Sequence, residues 1–226
     1  MKLGLFGGGF KPFTAGHYAK VRYALERCDR VLVFYGVGAR DKGEISVTAD
    51  DATRLFRIVS RALPAATEHR ASVVLGVPTP IKKMFAVVGA VKDGQDHTDA
   101  NLTASAIEVH DVEELTIFSD PTDVKRFTDH IGTDRGTRYY GDLIERGILR
   151  FDTCDLDGLV SALRSSSTTY DKATLDVCRN LTEVRASQVR DLVARGQVFT
   201  AVKLLAPIFS DDEIDQTLAI LQRGIK

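Results

Sequence analysis

The chain has 226 residues, of which 44% are hydrophobic and 27% charged, and its net charge is -1. This is an ordinary globular composition, and the length allows a large core to be buried without disulfide or metal support. The near-neutral charge excludes a general electrostatic attraction to nucleic acid or to a membrane surface, so any phosphate binding must come from local groups.

The cysteine content and the hydropathy both favour a cytoplasmic protein. The cysteines at positions 28, 154 and 178 lack the spacing of a metal site, which is typical of free thiols in a reducing compartment. The N-terminus lacks the long apolar run of a signal peptide, and no segment approaches the roughly 18 apolar residues needed to cross a bilayer. We therefore expect partners other than membranes or nucleic acids.

Hydrophobic periodicity predicts alternating strands and helices. Continuous apolar runs are typical of strands buried on both faces of a parallel sheet, and strand-helix-strand order gives right-handed crossovers. The predicted strands are residues 3–6, 30–35, 72–77, 115–119 and 148–151. The predicted helices are residues 16–28, 50–63 with Pro64 after its end, 80–91, 120–130 and 157–164, one ending at Gly196, and two short ones around Pro207. Predicted loops are residues 36–47, 92–105, 132–141 and 165–169.

This order predicts an α/β fold in a single domain of residues 1–226, with a small helical C-terminal portion at about residues 187–226. The most informative stretch is its start, where a buried strand leads into Gly7–Gly9 and then into a helix beginning near Gly16. Glycines let a ligand approach the backbone, and a helix start offers free N–H groups and a positive dipole end. Lys11, Thr14 and His17 lie in the same turn. The stretch therefore predicts a phosphate site.

Two generic phosphate loops fit this stretch poorly. A dinucleotide-binding loop would have glycine where Pro12 stands, and it would have an acidic residue after the second strand, which runs on to Arg40. Arg40 would suit a 2′-phosphate, which leaves NADP binding as an alternative. A P-loop is excluded because no Gly-Lys-Ser/Thr closes the turn.

Residues 8–17, Gly-Gly-Phe-Lys-Pro-Phe-Thr-Ala-Gly-His, resemble the signature of the nucleotidylyltransferase superfamily, an (H/T)-x-G-H motif after a G-x-F-x-P-x turn. That superfamily includes cytidylyltransferases and nicotinamide-nucleotide adenylyltransferases. It has a second signature, similar to I-S-x-T-x-(I/V)-R, at the start of a late helix. Residues 184–190, Val-Arg-Ala-Ser-Gln-Val-Arg, are similar to it, although Arg185 stands where the pattern usually has serine.

The resemblance implies a Rossmann-like parallel sheet with helices on both faces and an NTP, ATP or CTP, in the cleft between the two motifs. The implied reaction is nucleotidyl transfer to a small phosphorylated acceptor with release of pyrophosphate. Mg²⁺ would be carried with the NTP, so no residues are assigned to a metal site. His17 would donate a hydrogen bond to the α-phosphate, Thr14 would hold the same region, and Lys11 would bind acceptor or α-phosphate charge.

The resemblance also implies a nucleotide-binding set, in which Ser187 and Arg190 hold the β- and γ-phosphates. The weaker candidates for substrate binding are Asp120, which would equally well cap the next helix, and Arg185. The implied nucleotide-binding residues are Gly8, Gly9, Phe10, Gly16, Ser187 and Arg190.

The preferred acceptor is nicotinamide or nicotinate mononucleotide, with AMP transferred from ATP. Pantetheine-phosphate adenylyl transfer and cytidylyl transfer to a sugar or polyol phosphate are alternatives, as is a nucleotide-binding module without turnover. A homo-oligomer is expected from the resemblance alone. The remaining candidates are a metal site at Asp93, Asp96, His97 and Asp99, phosphate contacts at Lys82 and Lys83, and an acceptor clamp at Arg135, Arg138, Tyr139 and Tyr140.

Overall fold

The structure is a computed structural model. It describes residues 1–41, 43–96, 100, 102, 105–119, 121–155, 158, 161 and 184–226. The predictions for Asp120, His97, Asp99, the helix at 157–164 and the loop at 165–169 lie outside these residues. No helix in the described part of the chain is long and apolar enough to cross a membrane.

A five-stranded parallel sheet forms the centre of the molecule, in the order β5-β2-β1-β6-β7. An antiparallel hairpin, β3-β4, with two residues in each strand, lies apart from this sheet. The strands are Lys2–Gly8 (β1), Arg30–Tyr35 (β2), Arg40–Asp41 (β3), Ser46–Val47 (β4), Ala71–Leu75 (β5), Glu114–Ser119 (β6) and Leu149–Thr153 (β7). The apolar runs thus predicted the parallel strands correctly.

The helices begin where the sequence supplies capping residues. Thr14, Thr48, Thr79 and Ser210 each stand at an N-cap and accept a hydrogen bond from the backbone N–H three residues later, which satisfies a donor that the helix leaves free. The helices are Ala15–Leu25 (α1), Ala49–Ala66 (α2), Pro80–Asp93 (α3), Pro121–Ile131 (α4), Asp134–Glu145 (α5), Ala186–Ala194 (α6), Val198–Val202 (α7) and Asp211–Arg223 (α8).

Both faces of the sheet are covered, because successive side chains of a strand point to opposite sides. Leu3 and Leu5 of β1 join a core with α3, α4 and α5. Phe6 and Val33 join the opposite core with α1, α2 and the C-terminal helices. The molecule is therefore a Rossmann-like α/β fold with helices on both faces and a helical C-terminal portion, as predicted.

Three local predictions were wrong. The predicted loop at 132–141 is mostly helix α5, which Thr133 caps by accepting from the Gly136 N–H at 3.1 Å. Its Tyr140 and Leu143 pack against the core, and this burial outweighs the poor helix propensity of its glycines. Helix α2 does not end before Pro64 but continues through it, and the predicted loop at 36–47 contains the β3-β4 hairpin.

Candidate functional site

A cavity of about 630 Å³ lies at the carboxyl ends of β1 and β6. The strand order reverses between these two strands, and such a switch point is where open α/β sheets bind ligands. The cavity walls come from the end of β1 and the glycine turn after it, from α1, from the hairpin after β2, from Ser119 at the end of β6, and from the start of α6. The two predicted motifs therefore face each other across one cavity.

His17 lines this cavity, and Thr14 fixes the orientation of its ring. The backbone N–H of Thr14 donates to His17 Nδ1 at 3.0 Å, and the Thr14 hydroxyl lies 2.9 Å from the same nitrogen. Because a backbone N–H is always a donor, Nδ1 acts as the acceptor, and we assign the ring proton to Nε2. Nε2 has no hydrogen-bond partner among the described residues and is the ring nitrogen left for a ligand.

The surroundings of His17 keep its ring neutral. Burial, with the positive charge of Lys20 as a second cause, lowers the pKa of His17 from 6.5 to about 3. The rings of Phe10 and Phe13 pack against the imidazole with centroids 4.9 and 5.5 Å away, which removes water from it. At neutral pH His17 is therefore an oriented, uncharged N–H donor.

Thr14 and Gly16 do not line the cavity. Thr14 is fully buried, and its hydroxyl also donates to the Val184 carbonyl at 3.3 Å. The first N–H of α1, from Ala15, donates to the Leu204 carbonyl at 3.0 Å. The Ala15 and His17 N–H groups at the start of α1 are thus satisfied by protein acceptors, and Thr14 contacts His17 and the backbone leading into α6 rather than open space.

Backbone N–H groups at the start of α6 lack acceptors among the described residues, whereas the Ala15 and His17 N–H groups at the start of α1 have them. Its N-cap residue, Arg185, has no side-chain acceptor, and its backbone N–H donates to Gln188 Oε1 at 2.8 Å. Ala186 and Ser187 line the cavity, and none of the described residues accepts from their backbone N–H groups. Ser187 is therefore in the first turn rather than at the N-cap, and this helix end supplies donors and a positive dipole end to the cavity.

Five basic side chains line the cavity: Lys11, Lys20, Arg40, Arg185 and Arg190. Lys11, Arg40 and Arg190 form a group among them. Lys11 Nζ donates to the Gly36 carbonyl at 2.7 Å, and the Arg190 guanidinium donates to the Lys11 carbonyl. Burial, then Arg40 and Arg190, lower the pKa of Lys11 to about 8. Burial and Arg40 lower the pKa of Arg190 to about 10. These shifts show cations held close together in a site that partly excludes water.

No described carboxylate forms an ion pair with these three cations. Asp41 lies in the cavity wall, but its carboxylate accepts from Ser46 Oγ at 2.5 Å and pairs with Lys226 Nζ at 2.8 Å. These bonds hold the pKa of Asp41 below its usual value. The cavity is therefore electropositive, and a polyanionic ligand would neutralise charges that the chain leaves uncompensated.

The glycine turn combines packing with access to the backbone. A Cβ on Gly8 would lie 2.5 Å from the Phe10 ring, whereas a Cβ on Gly9 would meet only Lys11 Nζ, at 3.9 Å. Phe10 has a positive φ of 40°, a strained conformation for this residue, and its carbonyl accepts from the Tyr35 hydroxyl. All three residues line the cavity; Gly8 and Phe10 pack against each other, and Gly9 leaves its backbone open to a ligand.

Sequence reasoning did not assign Lys20 or Ser119 to the site, and it considered Arg40 only for a 2′-phosphate. All three line the cavity. Lys20 follows His17 by three residues, which puts both on one helix face. Arg40 comes after β2, and Ser119 is the last residue of β6. Both strands are neighbours of β1, and the carboxyl ends of the three strands meet at one edge of the sheet.

Among the described residues, the candidates at Lys82, Lys83 and Tyr139 do not line the cavity. Lys82 and Lys83 lie on α3 outside its lining, and Tyr139 packs against Lys92 Nζ, which lies 4.3 Å from its ring centroid. The described residues include no group of three or more His, Cys, Asp or Glu side chains that could hold a metal. Arg185 does line the cavity.

No model of a known protein family matches this chain, and no curated protein matches its sequence.

Proposed function

We propose that this protein is a nucleotidyltransferase that transfers a nucleoside monophosphate, AMP from ATP, to a small phosphorylated acceptor and releases pyrophosphate. The observation that carries the proposal is the placement of His17. A neutral imidazole, oriented through Nδ1, lines an electropositive cavity together with the free start of α6. This combination suits a reaction in which charge builds up on a phosphorus centre and no covalent intermediate is needed.

In the proposed step, an oxygen of the acceptor phosphate forms a bond to the α-phosphorus of the NTP. The bond from that phosphorus to the bridging oxygen breaks, and its electron pair leaves with pyrophosphate. His17 Nε2–H stabilises the charge on the α-phosphate oxygens, Lys11 binds the α-phosphate or the acceptor, and Arg190 and Ser187 bind the β- and γ-phosphates. Mg²⁺ enters as part of the substrate, carried by the triphosphate, because the cavity lining supplies mainly positive charge.

Thr14 acts as a positioning residue in this proposal. Its backbone N–H donates to His17 Nδ1, and its buried hydroxyl lies 2.9 Å from that nitrogen, so that the proton stays on the nitrogen left for the ligand. The sequence resemblance favours nicotinamide or nicotinate mononucleotide as acceptor, with pantetheine phosphate and a cytidylyl acceptor as alternatives.

A screen for pyrophosphate release tests the proposal. ATP and CTP are each combined with nicotinamide mononucleotide, nicotinate mononucleotide, pantetheine phosphate and a set of sugar and polyol phosphates, in the presence of Mg²⁺. The expected result is pyrophosphate release that needs both a nucleotide and one acceptor class and that His17→Ala removes. Tight nucleotide binding without pyrophosphate from any pair would instead indicate a nucleotide-binding module without turnover.

A further inference from the structure

The last three residues of the described chain extend the β3-β4 hairpin. Ile225 forms an antiparallel bridge with Ile45. The Ser46 N–H donates to the Gly224 carbonyl at 2.8 Å, and the Lys226 N–H donates to the Glu44 carbonyl at 3.1 Å. We refer to Gly224–Lys226 as the C-terminal clasp. It is separated by more than 170 residues in sequence from the hairpin that it completes.

The hairpin needs such support because it is too short to be stable alone. Each of its strands has two residues, with Arg40 paired to Val47 and Asp41 to Ser46. An isolated two-stranded hairpin is marginally stable in water even when it is longer. The clasp adds backbone hydrogen bonds to β4, and the Ile45 side chain beside it is fully buried. The hairpin is thereby fixed to the end of α8.

The hairpin carries Arg40 into the wall of the cavity. The charge of Arg40 lowers the pKa values of both Lys11 and Arg190, so the three cations lie within reach of one another. Lys11 and Arg190 are each bonded to a backbone carbonyl, whereas Arg40 forms no side-chain hydrogen bond or ion pair within the described part of the chain. Its guanidinium is available to a ligand anion.

The clasp also controls the acidic neighbour of Arg40. Asp41 is beside it in sequence and lines the same cavity, where an unpaired carboxylate would repel a bound phosphate or compete for the guanidinium. Lys226 Nζ pairs with Asp41 Oδ1 at 2.8 Å. Both side chains are largely exposed, so the pair contributes little to stability by itself, but it compensates the one negative charge that the hairpin brings to the site.

We propose that Arg40 binds the polyphosphate of the nucleotide and that the C-terminal clasp is the positioning segment that holds it there. The inference rests on the proposed function for the identity of the anion, a nucleoside triphosphate. It predicts that a change at Gly224, in the clasp and not among the residues lining the cavity, weakens binding in the cavity. It also predicts that this weakening acts through Arg40.

A substitution at Gly224 would disrupt the clasp. A Cβ at this position would overlap the carbonyl oxygen of Ser46 and lie 3.1 Å from Ile45 Cγ2. Because the nearest atom belongs to the backbone, the overlap can be relieved only by moving the strand. Gly38, in the connection between β2 and the hairpin, is the matched control. A Cβ at Gly38 would meet nothing within 4 Å. Arg61, exposed on α2, is the charge control for Arg40.

The experiment measures the binding of inorganic tripolyphosphate by calorimetry at fixed ionic strength. Arg40→Ala should weaken binding about tenfold or more, as expected for the loss of one charge-assisted hydrogen bond. Gly224→Ala should weaken it severalfold. In an Asp41→Asn background, which removes the carboxylate that the clasp compensates, adding Gly224→Ala to Arg40→Ala should cause no further loss, because the clasp then acts through Arg40 alone. Gly38→Ala and Arg61→Ala should bind as the wild type does. Lys226→Pro removes the N–H donor and the ion pair at an exposed position, and it should weaken binding as Gly224→Ala does. It replaces Gly224→Ala in the experiment if the Gly224→Ala protein folds poorly.

Three outcomes would overturn the proposal: wild-type protein that does not bind tripolyphosphate, an Arg40→Ala variant that binds it unchanged, or losses from Arg40→Ala and Gly224→Ala that simply add in the Asp41→Asn background. The assay is independent of turnover. Tripolyphosphate binding with the predicted pattern, but without pyrophosphate release from any substrate pair, would support this proposal and remove only the proposed function.

Discussion

At the scale of single residues, the function of His17 depends on which ring nitrogen carries the proton. The Thr14 N–H occupies Nδ1, and burial keeps the ring uncharged. The side chain can therefore donate from Nε2 without first losing or gaining a proton. This makes it suited to stabilise charge that appears in a transition state rather than to act as a general base.

His17→Ala should lower kcat by on the order of 10²–10³, which is the usual effect of removing one oriented donor. His17→Gln is the matched variant, because its amide N–H can replace Nε2–H, and it should retain more activity than His17→Ala. Steady-state kinetics with the acceptor found in the screen provides the measurement. A His17→Ala protein with wild-type kcat and an unchanged circular dichroism spectrum would exclude His17 from the mechanism.

Lys11 predicts how activity depends on pH. Its pKa is lowered to about 8, so the free enzyme loses this positive charge as the pH rises through that value, and kcat/KM should fall above it. A bound phosphate favours the charged form, so the fall in kcat should begin at higher pH. Lys11→Arg, which stays charged throughout, should move the fall in kcat/KM beyond pH 9. A wild-type profile flat to pH 9.5 would contradict this role.

Most residues of the signatures lie around one cavity, but not all of them face it. The lining includes Gly8, Gly9, Phe10, Lys11, His17, Ser187 and Arg190. Thr14 belongs to the same signature but is buried behind His17, with its hydroxyl 2.9 Å from the imidazole Nδ1. A sequence pattern records which residues are required together, and it does not separate a residue that contacts a ligand from one that orients its neighbour.

At the scale of elements, the N-cap of α1 also holds the His17 side chain in place. Thr14 is the N-cap, and its contacts with His17 form a reciprocal capping box. The same hydrogen bonds therefore stabilise the helix and orient the imidazole. A substitution that removes this N-cap should lower both stability and activity, whereas removing the N-cap of another helix should lower stability alone.

Thr14→Ala and Thr79→Ala separate these two effects. Each removes a threonine N-cap, from α1 and α3 respectively, and each should lower the free energy of unfolding by about 1 kcal/mol. Only Thr14→Ala should also lower kcat, because the Thr14 hydroxyl lies 2.9 Å from Nδ1 of the cavity residue His17, whereas the Thr79 hydroxyl accepts from the N–H of Lys82, which is outside the cavity lining. Chemical denaturation and steady-state kinetics on both variants give the comparison. Equal losses of activity in the two variants would mean that Thr14 acts only through stability.

Elements were predicted well where local signals decide them and poorly where packing does. Apolar runs predicted the five parallel strands, and the helix predicted from residue 80 begins at that residue, with Thr79 as its N-cap. Helix α5 was missed because Gly136 and Gly141 are poor helix formers. Its stability comes from Tyr140 and Leu143 in the core, which are contacts between distant parts of the chain.

At the scale of the whole molecule, topology assembles the site. Helix α1 follows β1 onto one face of the sheet, whereas the chain after β6 continues to the other face. The crevice opened between them receives α6 from the far end of the sequence. The place of Arg40 depends on pairing between the hairpin and Gly224–Lys226. No local pattern encodes such long-range pairing, so the sequence indicated the two motifs but neither the place of Arg40 beside them nor the segment that holds it.

The most direct test of nucleotidyl transfer follows the individual phosphorus atoms of ATP. The protein is incubated with Mg²⁺ and nicotinamide mononucleotide, or the acceptor selected by the screen, and with ATP labelled either at the α- or at the γ-phosphorus. Our proposal predicts that the α-label appears in the acceptor product while the γ-label leaves in pyrophosphate, in equal amounts. Transfer of the γ-label to the acceptor, or its release as inorganic phosphate, would contradict it.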